Sequence, residues 1–184
     1  GVWEYVVYEL AKNCGLDVPE AQVKKIGSHY HTFLSKRFDR TTSGKRIHFA
    51  SAMTLLERKD GDDSSSGASY LELVNLLIES GAKATADLEE LWKRIVFSIC
   101  VSNTDDHLRN HGFLLTSEGW RLSPAYDMNP SPFGNGLSLN ISETSNEQSL
   151  ELAMEVSSDF RVDQKKAQVI ITKIQTEVSK WLSL

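Results

Sequence analysis

Asn103-Thr104-Asp105-Asp106-His107-Leu108-Arg109-Asn110 follows directly on an apolar helical pattern, and seventeen residues past Asn110 stands Asp127, in Pro124-Ala125-Tyr126-Asp127-Met128. A dense polar cluster at the end of a wholly apolar helix has no core-packing explanation, so these residues mark a site. Asp105 and Asn110 stand five apart, the D-x-x-x-x-N spacing of a phosphoryl-transfer loop. Such chemistry needs a carboxylate to orient an attacking hydroxyl and oxygen ligands to hold Mg²⁺ against the phosphate. On this reading Asp105 is the base, Asn110 offers an amide oxygen to metal, and Asp127 returns beside them as the charged ligand. Asp105 is preferred to Asp106 because only Asp105 has the five-residue offset to Asn110. His107 could brace the loop or touch a phosphate, and Arg109 could offset charge developing on the transferred group.

Working outward, Leu88, Leu91, Trp92, Ile95, Val96, Ile99 and Cys100 recur at helical spacing from Asp87 onward and deliver the chain to Asn103. Beyond the site, Gly112 to Thr116 and Trp120 to Ser123 are short β-type runs around Ser117-Glu118-Gly119, a hairpin that would turn Asp127 back toward Asn110. Residues 128–146 read as irregular loop. Helices are expected over 149–156 and 163–182, the second with Val169, Ile170, Ile174, Val178 and Trp181 on one side. Upstream, Ser69 and Glu72 form a capping box for a helix ending at Gly81. Lys59 to Gly67 is polar and low in complexity, a mobile surface loop. Arg46 to Arg58 reads as a strand or short helix with Ser51 as a candidate N-cap, residues 30–38 as a strand, Pro19-Glu20 as a short turn, and residues 3–13 as a helix closed by Gly15. The fold class is α+β, predominantly helical, with a small hairpin beside the loop.

Composition bounds the function. With 184 residues, 40% apolar and 24% charged, the chain suits one globular domain. A net charge of −5 argues against a general polyanion-binding role, although it leaves room for a local basic patch. Cys14 and Cys100 show neither zinc-site spacing nor the density of a disulfide scaffold, so both are expected as reduced core residues in a cytoplasmic protein. No apolar run reaches the ~18 residues of a membrane span. His29, His31, His48 and His111 have no recognisable partner spacing and are expected to be structural or at the surface. Gly1 leads straight into a helix without an initiator Met, as a fragment would.

The chain resembles the HipA-type toxin serine/threonine kinases. The resemblance rests on Asn103 to Phe113, on Gly119-Trp120-Arg121-Leu122-Ser123-Pro124-Ala125-Tyr126-Asp127, and on Lys36-Arg37-Phe38-Asp39-Arg40. It spans residues 1–184 and matches that family's C-terminal kinase lobe. It implies an ATP- and Mg²⁺-dependent kinase in which Asp105 is the catalytic base and Asn110 with Asp127 the metal ligands. Lys36-Arg37-Phe38 is similar to the hinge strand whose backbone receives adenine, with Tyr126 a neighbour of the nucleotide. Implied partners are a protein substrate, such as a translation-related protein, and a HipB-like DNA-binding antitoxin; direct nucleic-acid binding is not expected. No glycine-rich phosphate loop or N-lobe lysine is recognisable, so a separate N-terminal lobe is expected to complete the site. Two alternatives remain open. One is a metal-dependent phosphohydrolase using Asp105, Asp106, His107, His111 and Asp127; the other is a non-catalytic kinase-like binding module.

Overall fold

The computed structural model describes residues 1–27 and 29–183. Its central element is the helix α4, Ala84–Val101, in which Leu88, Leu91, Trp92, Ile95, Val96 and Phe97 are fully buried. Those side chains recur every three or four residues, so one stripe of the helix faces the interior. Trp92 also carries a polar atom inward, and its indole Nε1 donates to the carbonyl of Ala153 at 2.8 Å, as a buried indole must. Helix α4 starts at Ala84, one turn ahead of the first residue that periodicity marks. Asp87 in that first turn is buried, and its carboxylate receives Arg121 Nε at 2.8 Å, Arg121 Nη2 at 2.9 Å and the Leu122 N–H at 3.1 Å. An acid among the unpaired N–H groups of a helix start is favourably placed, and here it also ties the helix to a strand.

Around α4 pack α1 (Val2–Cys14), α3 (Tyr70–Ser80), α5 (Leu150–Glu155) and α6 (Gln164–Val178). Helix α1 ends as expected at Gly15, whose φ of 81° suits glycine and lets its N–H reach the carbonyls of Ala11 and Lys12. Ser69 and Glu72 make the expected capping box on α3. The C-terminal stripe needs correction. Ala167, Ile171 and Ile174 of α6 face inward, whereas Val169 is 68% exposed and Trp181 lies in a separate 3-10 turn against Trp3, with ring centroids 5.9 Å apart. Cys14 is buried and Cys100 half-buried, both unpaired; burial pushes their thiols up to about 12 and about 11. Among the described residues no helix is long and apolar enough to cross a membrane.

Two separate antiparallel sheets lie at the edges. The first pairs β1 (Ala21–Lys25) with β2 (His31–Ser35), with Val23 opposite Phe33. Strand β1 lies where the sequence shows only a turn at Pro19-Glu20, and β2 is shorter than the run 30–38. In the second sheet β3 (Phe49–Ser51), β4 (Gly112–Thr116) and β5 (Gly119–Leu122) follow in order. The stretch from Arg46 to Arg58 thus holds both of the readings open to it. It contains β3 and then α2 (Ala52–Leu55), with Ser51 capping α2 by accepting the Thr54 N–H at 3.3 Å. The β4–β5 turn needs its glycine: Gly119 has φ 131°, and a Cβ there would come within 2.6 Å of the Ser80 carbonyl oxygen.

Two segments read as irregular are well braced. Lys59 to Gly67 contains a 3-10 turn, Ser64–Ser66, capped by Asp63, while Arg58 donates to the carbonyls of Ser66 and Gly67. Residues 128–146 lack regular structure but bury Leu137, Leu139 and Ile141, and Ser69 is bridged to Asn140 beside the start of α3.

Helix α3 also holds the loop that follows α4. The Tyr70 hydroxyl donates to Asp106 Oδ2 at 2.6 Å, and His111 Nε2 lies 3.1 Å from Asp106 Oδ1, off the axis of a good hydrogen bond. Burial alone would raise the Asp106 carboxyl, but the imidazole of His111 and the Tyr70 hydroxyl outweigh it and hold the group below its usual value.

Two outcomes follow from these contacts. Asp87→Ala leaves Arg121 and the Leu122 N–H without their acceptor and is expected to cost roughly 3 kcal/mol in urea unfolding. Asp106 has a folded-state pKa below its unfolded value of about 3.9, so it stabilises the fold above that pH and ceases to as pH falls through the folded value. Asp106→Asn should therefore flatten the acid limb of the stability curve, read as urea midpoints between neutral pH and about pH 3.

Candidate active site

Helix α4 stops because Ser102 turns left-handed, with φ 56°, and its hydroxyl donates to the Ser131 carbonyl at 3.0 Å. Asn103 is then drawn inside: it is 1% exposed, its N–H reaches the Ser98 carbonyl at 2.9 Å, and its Oδ1 accepts the Asn129 N–H at 3.4 Å. The loop is thus anchored on both sides before it exposes any functional group.

Asp105 and Asp106 separate sharply. Asp106 points into the protein toward Tyr70 and His111, whereas Asp105 is exposed and its carboxylate makes no hydrogen bond or ion pair among the described residues. The five-residue offset has a direct geometric result. Asn110 is buried, and its Nδ2 donates to the Asp105 carbonyl at 3.1 Å, closing the loop on itself. Because the amide nitrogen is taken up in that bond, Oδ1 remains as an acceptor with no protein donor among the described residues.

Tyr126 brings the third residue back. Its hydroxyl donates to the Arg109 carbonyl at 2.6 Å, so the segment after β5 is stitched to the loop one residue before Asn110. Burial pushes the Tyr126 phenol up to about 12, which keeps it a donor across the neutral range. Asp127 follows with a left-handed φ of 57°, exposed, and one carboxylate oxygen accepts Asn129 Nδ2 at 3.0 Å. Asp105 and Asn110 thus sit on the loop after α4, and Tyr126, the residue before Asp127, is tied to that loop.

Two clefts flank these residues. One, of ≈ 260 Å³, is lined by Glu4 and Tyr8 of α1, Phe33 and Ser35 of β2, and Tyr126, Asp127 and Met128. The other, of ≈ 210 Å³, lies between Asp105, His107 and Arg109 on one side and the Lys59 to Asp63 segment on the other. Arg109 leans toward the second, its guanidinium 2.7 Å from Asp60 at the surface. His107 lines the same cleft and has a buried Nδ1 without a hydrogen-bond partner among the described residues.

The hinge-like residues are divided. Phe38 stacks obliquely on Tyr126, centroids 5.6 Å apart, and on Phe49 at 6.0 Å. Lys36 faces elsewhere: its ammonium pairs with Glu20 at 3.0 Å and its N–H donates to the Glu20 carbonyl at 2.8 Å. Beyond it, the backbone N–H groups of Arg37 and Phe38 make no hydrogen bond among the described residues. Sequence reasoning missed Glu4, Tyr8, Phe33 and Ser35 as cleft walls, because their helix and strand are legible locally but their approach to Tyr126 and Asp127 is set by tertiary packing.

Asn110 Oδ1 and the free oxygen of Asp127 are the kinds of oxygen, amide and carboxylate, that could hold a nucleotide-bound Mg²⁺. A water-activating metal would need more, and among the described residues no three His, Cys, Asp or Glu side chains are grouped to hold one. The phosphohydrolase set is broken up, since Asp106 and His111 face the interior and Asp105 faces solvent.

Comparison with known proteins agrees with this architecture. A protein of Haemophilus influenzae named "Putative kinase" is 29% identical over 141 residues, which is 71% of this chain and 41% of that protein. One of Sinorhizobium fredii, named "Putative kinase Y4dM", is 30% identical over 161 residues, 77% of this chain and 37% of its own length. The chain thus spans about two fifths of these relatives. Among solved structures, HipA of Shewanella oneidensis, determined with HipB and operator DNA, superposes with a TM-score of 0.82 at 18% identity, over 99% of this chain and 48% of HipA. The Helicobacter pylori proinflammatory kinase CtkA superposes with a TM-score of 0.61 at 15% identity, over 99% of this chain and 82% of that one. Residues 2–182 match the HipA-like C-terminal domain, and the chain belongs to that family.

Proposed function

We propose that this chain is the C-terminal catalytic part of an ATP- and Mg²⁺-dependent serine/threonine protein kinase of HipA type. The observation that carries the reading is the division of labour in the loop: Asp106 is buried as a brace, Asp105 is left free, and Asn110 is locked by Asp105's own carbonyl with its oxygen available. Asp105 would take the proton of the attacking hydroxyl. Asn110 Oδ1 and Asp127 would hold Mg²⁺, which supplies charge neutralisation at the phosphates. The cleft between β2 and Tyr126–Met128 would receive the nucleotide, with adenine read by the free N–H groups of Arg37 and Phe38 rather than by the side chain of Lys36. Phe38 and Tyr126 would form its apolar wall. Arg109 and His107 would face the substrate side, with Arg109 leaving Asp60 to meet developing charge; an exposed pair of this kind is worth little, so its exchange is cheap.

The groups that clamp the phosphates would come from the part of the relatives' length that this chain does not span. We also infer a protein substrate, translation-related in the family's manner, a cytoplasmic location, and a HipB-like antitoxin partner, the last by analogy with the Shewanella protein solved with HipB. The same site in a non-catalytic module would bind nucleotide and transfer nothing.

Two variants in the full-length parent protein separate these roles. Asp105→Asn should lower autophosphorylation or substrate phosphorylation by about 10²- to 10⁴-fold while ATP affinity changes little. Asp127→Asn should weaken Mg²⁺-dependent nucleotide binding itself, measured by calorimetric titration with and without Mg²⁺. Wild-type transfer rates in both variants would overturn the assignment.

A further inference from the structure

The net charge of −5 conceals a strong segregation. Residues 21–48 hold seven Lys and Arg against a single acid, Asp39, for a net +6; the other 156 residues hold thirteen against twenty-four, for a net −11. Three of the five histidines, His29, His31 and His48, lie in the same basic segment. The structure folds it into two successive solvent-exposed hairpins. The first is β1–β2, in which Lys24 stands opposite Thr32 and Lys25 opposite His31. The second runs from Asp39 to Ile47 and is closed by the Arg40–Arg46 bridge and by the bonds from Thr41 N–H to the Lys45 carbonyl and from Ile47 N–H to the Asp39 carbonyl.

The acids that could neutralise this segment are already engaged. Asp39 is shared between Arg37 and Arg40, and the Arg37 hydrogen bond holds its carboxyl down to about 2; Glu20 is paired with Lys36. Lys24, Lys25, Lys45 and Arg46 are exposed and make no ion pair among the described residues. None of these four belongs to the loop or clefts at the end of α4.

We propose that these two hairpins are a nucleic-acid-binding surface that grips the phosphate backbone without reading sequence. The cations are spread along an extended two-stranded ribbon and the turn after it, which suits a linear polyanion with a charge every ~1.7 Å better than a compact acidic patch on a protein. The interleaved groups suit it as well. Thr32 and Thr41 can donate to phosphate oxygens, and Tyr30, 81% exposed at the hairpin tip, presents a ring on which a base can stack. The proposal does not depend on the kinase reading, since it uses other residues and a binding readout.

Fluorescence anisotropy of the 184-residue chain with labelled DNA, as a duplex of about 20 base pairs and as one of its strands, tests it. With four phosphate contacts, affinity for the duplex should fall roughly 100-fold between about 50 and about 200 mM salt. Lys24→Gln/Lys25→Gln and Lys45→Gln/Arg46→Gln should each weaken binding and lower the salt slope by about 2. Lys165→Gln, an exposed change on α6, should leave it as it was. Absence of salt-dependent binding at about 50 mM salt would overturn the proposal. So would an equal loss with Lys165→Gln, which would mean diffuse charge, or equal competition by polyglutamate of matched length, which would mean an acidic protein partner.

Discussion

The buried carboxylate of Asp106 is the constraint on which the arrangement at the end of α4 depends. A charged group inside a protein is tolerated only if partners replace its water, and Tyr70 and His111 do so from α3 and from the residue before β4. With Asp106 fixed from below, the peptide on either side has little freedom. Asp105 must then emerge on the opposite side, toward solvent, and the Asn110 amide can close on its carbonyl. The two adjacent aspartates therefore serve opposite ends: one is buried so that the other can be presented.

A second constraint comes from the strands. Asp127 is remote in sequence and reaches the loop only because β4 and β5 reverse the chain, with Asp87 clamping Arg121 and the Leu122 N–H to the start of α4. The same helix thus fixes both arms of the site. Its C-terminal end carries the loop, and its first turn holds the strand that leads to Tyr126 and Asp127. Tyr126 then joins the arms directly through the Arg109 carbonyl. A backbone acceptor suits this purpose, because it is indifferent to where the Arg109 side chain goes.

Much of this was legible in the sequence because it rests on local rules. The period of α4, the Ser69–Glu72 capping box, the Ser51 cap, the Gly15 terminus and the hairpin around Gly119 each depend on side chains within a few residues of one another. Spacing also set Asp105 apart from Asp106, and the structure shows the first exposed and the second buried. What escaped was set by tertiary partners. Strand β1 is polar and exposed, so no alternation reveals it; its edge is fixed by β2 and by α1 beneath it, through Tyr8 and Phe33. Lys36 opens the hinge-like motif, and Glu20, sixteen residues away, holds both its ammonium and its N–H, which the motif alone does not show. Val169 fits a helical stripe on paper, but α6 rotates to place Ala167, Ile171 and Ile174 against the core.

Charge is where the whole-chain number and the structure part most clearly. A net of −5 describes a molecule seen from far away, and at physiological salt interactions between exposed charges are screened within about 8 Å. A ligand approaching the β1–β2 ribbon therefore meets its unpaired lysines, while the nearby acids Glu20 and Asp39 are already paired with Lys36, Arg37 and Arg40. The acidic segment from Asp60 to Asp63 acts on the same scale at the opposite task, since it lines the cleft beside Asp105 and holds Arg109. One chain can thus offer a cationic surface to a polyanion and an acidic rim to whatever enters beside Asp105. Screening keeps the two from cancelling, so the sign of the total predicts neither.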